Sequence, residues 1–451
     1  MLWSGLFLVL GPLRSPGDGD LFWQRWLGDL VVQTHRLPSA LGAETFTAQG
    51  APWVPQEWLF STLLALAWNA HLFFLFSLAV SALPAIILAT IYWRSRGGAS
   101  PEAIGIALLL CGIALLESFG VRAQVLGWAM LAAFMLFVER RDRWYYLTIP
   151  AAVLWANVHA SVAIAPVIVL SRVVATIADG GMRALGSSRD AVALPAVLLA
   201  SVCTPLGWKL PLLAVTLSTS PIRSHIQEWQ PPGWGDASFV FGAVPLALAI
   251  LLGGRTTLNA KLQSFPALVL FVAALFAFRN TALFAIVATP LAAMGLDARF
   301  PRLRSIGPKA RELEPVALAA IALAVGLSAL ALTRLQRDEP ARLPIAAIAS
   351  LAADKSGHRL LCENFTWCSV ALDYPVLRVF IDGRCDAYPL AVWQEYLTVI
   401  RGRDAWAGPL KAYRVDSVIA ERGSTLAIAL ENAPRWESAY RDAQYVVFRH
   451  D

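Results

Sequence analysis

The sequence predicts an α-helical polytopic membrane protein with a small soluble α/β domain at its C-terminal end. Three observations predict it. Of 451 residues, 57% are hydrophobic and only 15% charged, against roughly 25% charged in a soluble globular chain. The apolar residues come in long runs separated by short basic loops, the pattern of repeated membrane-spanning helices. After Arg334 that pattern stops, and short runs rich in Val, Ile and Phe replace it.

Apolar runs of spanning length place about eleven transmembrane helices, at 1–13, 71–93, 101–118, 121–138, 144–158, 160–178, 191–205, 237–252, 262–278, 280–296 and 315–333. Met1 to Leu13 lacks a small-residue cleavage site after it and reads as the first span rather than a signal peptide. The apolar stretch from Glu57 to Ala70 is short, and reads either as a re-entrant or interfacial helix or as a further span that would reverse the parity.

The formal charge of +6 lies mostly in the short loops, which makes it a topology signal and argues against nucleic acid as a partner. With the N-terminus cytoplasmic, the inner loops from Arg94 to Arg311 carry fifteen basic residues and the outer loops from Arg14 to Arg279 carry seven. An odd number of spans then puts everything after residue 333 outside.

A transmembrane domain over 1–335, with a first outer loop at about 14–57, is thus followed by an external domain over 336–451. The junction, "LTRLQRDEPARLP", is polar with two prolines, as linkers are. Beyond it "RLLCENF", "SVALDYP", "LRVFIDGR", "DSVIAER" and "QYVVFRHD" read as strands, with helices at Leu390–Ile400 and Thr425–Asn432 between them. Cys111 and Cys203 sit in apolar segments as small core residues. Cys362, Cys368 and Cys385 allow one disulfide with a third thiol left over, and the absence of a CxxC pair argues against zinc.

The topology sorts the polar residues by side. The first outer loop contains Asp18, Asp20, Gln24, Arg25, Asp29, His35, Glu44, Gln56 and Glu57. Later outer turns add Glu117, Arg122, Gln124, Asn157 and His159, then His225, Gln227, Glu228 and Trp229, then Arg279 and Asn280. Ionisable groups at membrane depth cost several kcal/mol unless paired or hydrated, so a one-sided cluster points to a functional cavity. Each residue alone has a plainer reading, as a solvated loop residue or helix cap; Glu117, Arg122 and Arg279 also suit buried ion pairs.

In "SPGDGDLFWQRWLGDLVV" two carboxylates precede an amphipathic helix whose apolar side carries Leu21, Phe22, Trp26, Leu27, Leu30 and Val31. Trp-rich helices of this kind lie in the membrane interface. A carboxylate at that height can deprotonate an acceptor hydroxyl or hold a divalent cation, Mg or Mn, against a phosphate. Asp18 or Asp20 can equally cap the helix, and the two roles can be divided between them.

The succession "DGDLFWQRWLGDLVVQTHRLP", "APWVPQEWL", "VRAQVLGW", "WANVHAS", "CTPLGWKL", "IQEWQPP", "FRNTALFAIVATP" and "VFIDGRCDAYP" resembles bacterial GT-C-type membrane glycosyltransferases, and more closely a branch with an external C-terminal domain. The resemblance covers nearly the whole chain. It implies a multi-pass protein of the bacterial inner membrane with a periplasmic C-terminal domain. It further implies transfer of a hexosyl or pentosyl group from a polyprenyl-phosphate donor to a glycan, lipid or protein acceptor, with inversion. The family's catalytic carboxylate lies in the first outer loop, matching Asp20 or Asp18. Two positions depart from the branch: Gln24 stands where it has histidine, and Ala123 where it has proline.

Under this resemblance Arg122, Arg279 and His159 are expected to bind the donor phosphate. Substrate contacts are expected from Glu57, Trp58, Gln124, Asn157, His225, Glu228, Trp229 and Asn280. In the C-terminal domain Asp382, Arg384, Asp386 and Tyr388 of "IDGRCDAY" either bind acceptor or form a turn network. Two other classes stand beside this reading: a transporter or lipid-binding protein, weakened by the lack of inverted halves, and a non-catalytic scaffold, kept open by Gln24.

Overall fold

The computed structural model describes residues 6–8, 10, 18–116, 118–140, 142–305, 343–354 and 356–450. The chain forms two compact units. One takes Met1–Leu13 and Phe74–Ala331; the other takes Arg14–Phe73 and Leu332–Asp451. The first loop therefore folds with the C-terminal segment.

In the helical unit three helices are long and apolar enough to cross a membrane: Phe73–Ser95, Ala160–Gly180 and Phe278–Arg299. They match the spans expected at 71–93, 160–178 and 280–296. Pro101–Leu116, Ala123–Val138, Phe239–Leu252 and Lys261–Phe276 are shorter apolar helices at four further expected positions. The expected span at 144–158 divides into a 3-10 turn, Arg143–Leu147, and a helix, Thr148–Val158; the one at 191–205 ends as a helix at Ala200. Among the described residues, three single helices meet the spanning criterion instead of the eleven expected. The shortfall is one of length: Pro101–Leu116, Ala123–Val138 and Lys261–Phe276 have 16 residues each, and the helices within the expected spans 144–158 and 191–205 have 11 and 12. The expected spans at 315–333 and most of 1–13 lie outside the described residues, as does Glu117. Trp58–Asn69 is a helix of 12 residues, about 18 Å long, too short for a hydrocarbon core of about 30 Å.

Residues 281–293 of the Phe278–Arg299 helix are all buried, so this helix is the axis of the unit. Its Pro290 has no N–H to give the carbonyl of Ile286. Arg94 Nη1 donates to that carbonyl at 3.0 Å, while its other nitrogens clasp Glu139 at 2.7 and 2.9 Å. The same device recurs at Pro266 in Lys261–Phe276. Arg172 Nη1 donates to the freed Leu262 carbonyl at 3.2 Å, and its Nε donates to Asp190 at 2.9 Å. Tyr145 donates its hydroxyl to the same Asp190 oxygen at 2.8 Å. Prolines persist in apolar helices when a neighbour supplies the missing donor.

The second unit is built on a five-stranded sheet. Its strands are β1 (His358–Cys362), β2 (Leu377–Val379), β3 (Ser417–Glu421), β4 (Trp436–Arg441) and β5 (Tyr445–His450), in the order β2-β1-β3-β5-β4. β1 pairs parallel with β2 and β3, and β5 lies antiparallel between β3 and β4. Helices stand at Leu390–Ile400 and Thr425–Glu431, where the sequence places them. "SVALDYP" is not a strand. Asn364 accepts the Thr366 N–H at 3.0 Å and opens a 3-10 helix, Phe365–Asp373, in which five successive residues, 368–372, are buried, beyond the alternation of a one-faced strand. A disulfide joins Cys362 to Cys368. β4 escapes sequence reading because it is an edge strand with polar residues on both faces.

The first loop extends this sheet along the β2 edge. Val379 N–H donates to the Glu44 carbonyl at 2.8 Å, Phe46 N–H donates to the Val379 carbonyl at 3.3 Å, and Arg378 Nε donates to the Ala43 carbonyl at 2.7 Å. The helix Asp20–Thr34 lies against Trp58–Asn69, closely enough that a Cβ at Gly28 would fall 2.0 Å from the Ser61 carbonyl oxygen. Its Phe22, Trp23 and Trp26 pack on the apolar cluster of the sheet domain, with Leu351, Leu372 and Tyr445. The aromatic side expected to meet the membrane interface is thus partly buried against protein.

Candidate functional site

The candidate residues fall into two groups, one in each unit. In the loop–sheet unit Asp18 and Asp20 divide their work. Asp18 Oδ1 accepts the Asp20 backbone N–H at 3.1 Å, relieving one of the donors that a helix start leaves over. Asp20 is the first residue of the helix, and its Oδ1 accepts from Trp23 Nε1 at 3.1 Å. The loop of "IDGR" abuts it. A Cβ at Gly383 would lie 2.8 Å from Asp20 Oδ1, 2.6 Å from Trp23 Cδ1 and 2.8 Å from Ser369 Oγ, and Ser369 Oγ itself accepts the Gly383 N–H at 3.0 Å. Only glycine fits there without displacing the carboxylate. Gln24, buried, donates its amide to Glu57 Oε2, so these two candidates hold helix to helix. Trp58, beside Glu57, has a buried indole N–H that donates to no described acceptor.

Asp382, Arg384 and Tyr388 form a buried network. Arg384 Nε donates to Asp382 Oδ1 at 3.0 Å, and its Nη2 to Oδ2 at 2.5 Å. Its Nη1 donates to Glu44 Oε1 at 2.7 Å. Tyr388 donates its hydroxyl to Asp382 Oδ2 at 2.9 Å. The guanidinium carbon sits 4.8 Å from the Trp26 ring centre and 5.1 Å from that of Trp53, within cation–π range. Burial works against the Arg384 charge, but Asp382, Tyr388 and Glu44 more than reverse this and hold it above its ordinary range. Burial, then the Asp382 charge, push the Tyr388 phenol well up, which keeps it a donor. Asp382 and Arg384 are 0% and 1% exposed, so their charges serve each other and join the first loop to the sheet. Asp386, half-buried, lies in the turn between them and Tyr388.

In the helical unit Arg279, Glu228, Trp229 and His159 come together. Arg279 Nη1 is 3.8 Å from Glu228 Oε1, and its guanidinium carbon is 5.6 Å from the Trp229 ring centre. His159 lies in the turn between two apolar segments. Its Nδ1 accepts the Ser161 N–H at 3.0 Å, which assigns the ring proton to Nε2. Burial, assisted by the Arg279 charge, lowers its pKa to about 3. The ring is therefore neutral, with its Nε2 buried.

The other expected contacts serve the fold more directly. Arg122 is the N-cap residue of Ala123–Val138, and Gln124 is buried in its first turn. Asn157 donates to the carbonyls of Val153 and Cys203 at 2.8 and 3.0 Å, and Asn280 to that of Ala273 at 3.0 Å. His225 is exposed. Sequence reasoning missed Trp23, Ser369 and Gly383. Their signal was available only as an aromatic three residues after Asp20 and as the glycine of "IDGR". Among the described residues no group of three or more His, Cys, Asp or Glu gathers to hold a metal ion, and each of Asp18 and Asp20 already turns an oxygen to an N–H donor.

No protein-family model and no curated protein matches the chain. Among solved structures it is similar to the oligosaccharyltransferase of Archaeoglobus fulgidus, crystallised with an acceptor peptide containing the NVT sequon tethered by a disulfide bond. The likeness covers 100% of this chain and 74% of that one, with 12% sequence identity and a TM-score of 0.57. At that identity it speaks for the fold alone, and the fold of this chain is GT-C-like.

Proposed function

We propose that the protein is a membrane glycosyltransferase that moves a sugar from a polyprenyl-phosphate donor to an acceptor at the outer membrane face. The observation that carries this reading is the Asp20 carboxylate, oriented by Trp23 and walled by Gly383 of the sheet domain. A general base needs that kind of fixed orientation. In the reaction the acceptor hydroxyl oxygen bonds to the anomeric carbon from the face opposite the phosphate, and Asp20 takes the hydroxyl proton. The bond from that carbon to the phosphate oxygen breaks, its electron pair leaving with the polyprenyl phosphate, and the configuration inverts. Arg279 and Arg122 are assigned to the phosphate charge and His159 to a neutral hydrogen bond with it. Trp229 and Trp58 are assigned to stacking on sugar faces. The Cys362–Cys368 disulfide supports an oxidising, extracytoplasmic compartment for the loop–sheet unit.

The test is transfer from a polyprenyl-phosphate sugar by Asp20→Asn and Asp18→Asn, made separately. Asp20→Asn is expected to lose at least about a hundredfold. Asp18→Asn should lose far less, because asparagine also caps a helix. Undiminished transfer in both variants overturns the assignment. A folded wild type inert towards such donors supports a non-catalytic scaffold instead, the reading favoured by Gln24, whose amide is spent on Glu57.

A further inference from the structure

We propose that the helical unit contains a binding site for the phosphate headgroup of an anionic membrane lipid, distinct from the candidate catalytic groups. The site is an open cavity of about 740 Å³ whose walls include Arg140, Tyr145, Arg172, Arg189 and Lys261. It lies at the helix ends opposite those bearing His159 and Arg279. Lys261 opens the helix Lys261–Phe276, which Arg279 follows, and Asp179 is near the end of the segment that His159 precedes.

The charges around this cavity do not cancel. Its three acids are each already matched: Glu139 by Arg94 at 2.7 Å, Asp190 by Arg172 at 2.9 Å and Asp179 by Lys261 at 2.8 Å. Arg140 and Arg189 remain. Among the described residues Arg140 meets only Asp142, at 3.2 Å, where both side chains are about half exposed. Arg189 donates to the Asp142 backbone carbonyl at 3.0 Å, a neutral acceptor, and pairs with no carboxylate among the described residues. One guanidinium thus meets an exposed carboxylate and the other a backbone carbonyl beside this cavity, whose wall also includes Tyr145 and Lys261. A phosphate diester supplies the single negative charge and the paired oxygens that guanidinium groups clasp.

The surroundings favour a lipid as the source of that phosphate. Trp144 and Tyr146, on either side of Tyr145 in the chain, are 48% and 47% exposed, and Met182 is 70% exposed. Exposed Trp and Tyr at helix ends mark the headgroup level of a bilayer, and basic pockets between membrane helices at that level bind anionic headgroups. A dissolved phosphate has no use for exposed apolar side chains beside the wall residues in the chain.

The test uses the full-length protein in neutral detergent. It is titrated with phosphatidylglycerol, with phosphatidylcholine of the same chains and with inorganic phosphate, and read by thermal midpoint and by lipid adducts in native mass spectrometry. Phosphatidylglycerol is expected to raise the midpoint and to remain bound, while phosphatidylcholine and inorganic phosphate do neither. The double variant Arg140→Gln/Arg189→Gln should weaken phosphatidylglycerol binding about tenfold or more, and Arg140→Lys/Arg189→Lys, which keeps the charge but loses the paired donors, should weaken it less. Equal effects of the two lipids overturn the proposal, as does undiminished binding by the glutamine variant. A phosphate effect equal to that of phosphatidylglycerol overturns the lipid assignment and leaves a soluble-anion site. Should the double glutamine variant not fold, Arg189→Gln alone decides, because the Arg189 guanidinium pairs with no described carboxylate.

Discussion

Arg94 donates to the carbonyl of Ile286 at 3.0 Å, the carbonyl whose helical donor Pro290 removes. The pair shows how a charged residue within an apolar helix is kept. Its guanidinium completes a broken helix on one side and meets Glu139 on the other. Arg172 repeats the arrangement with Leu262, Pro266 and Asp190. In both cases proline and arginine, each unfavourable alone in an apolar setting, answer each other's cost.

Removing Arg94 is therefore expected to hurt in proportion to what it leaves behind. Arg94→Met strands a carboxylate and a carbonyl and should destabilise the protein by about 3 kcal/mol or more. Pro290→Ala restores an N–H to Ile286, so the double variant Arg94→Met/Pro290→Ala should lie about 1 kcal/mol above the sum of the single effects. Thermal unfolding in detergent measures the cycle, and strict additivity would show that Arg94 and the Ile286 carbonyl are not coupled.

Arg384 makes a second, separable case. Arg384→Met leaves Asp382 buried and unpaired, with an expected loss of about 3–5 kcal/mol, whereas Asp382→Leu/Arg384→Met removes both charges and should recover much of it. Limited proteolysis of the full-length protein, read at cleavage sites after residue 343, reports this. A double variant cleaved as fast as the single would mean that Glu44 and Tyr388 depend on the pair for more than charge balance.

Much of the fold was legible because hydropathy and strand patterning are local signals. The helices Leu390–Ile400 and Phe73–Ser95 stand where periodicity and apolar length place them. What was not legible depended on partners distant in sequence. The aromatic face of Asp20–Thr34 looks the same whether lipid or protein meets it, and only the fold shows that the sheet domain packs against it. Asp382 and Arg384 stood equally for ligand binding and for a turn network until Glu44, 340 positions away in the chain, closed the network. Asp18 and Asp20 were recognisable as a pair, but their division depends on which oxygen meets which N–H.

His159 carries a pH dependence whose sign is fixed by its neutral state. Its pKa in the fold, about 3, lies below that of an unfolded histidine, about 6.5. As pH falls below about 6.5 the unfolded chain takes up the proton and the folded one does not. The stability contributed by the neutral ring is complete above that pH and is lost progressively as pH falls towards 3, by about 1.4 kcal/mol per unit. His159→Gln should flatten the slope of unfolding midpoint between pH 6.5 and 5 relative to wild type. Parallel slopes would show that the ring is charged in the fold.

Gly383 tests whether the sheet domain takes part in the chemistry or only stands behind it. A methyl group there must displace Asp20, Trp23 or Ser369, all within 2.8 Å of its position, and a displacement of about 1 Å at a reacting group costs about a hundredfold in rate. Gly383→Ala should therefore reduce sugar transfer by that order while the protein still folds and forms its disulfide. Gly357→Ala, where a Cβ meets nothing within 4 Å, is the matched control and should leave transfer unchanged. Trp23→Phe removes the N–H that orients Asp20 while keeping an aromatic ring on the sheet domain, and should lower the turnover rate more than it raises the KM for the donor. If Gly383→Ala and Gly357→Ala are equally active, the carboxylate does not depend on the loop beside it, and the reason that Gly383 is glycine lies in folding alone.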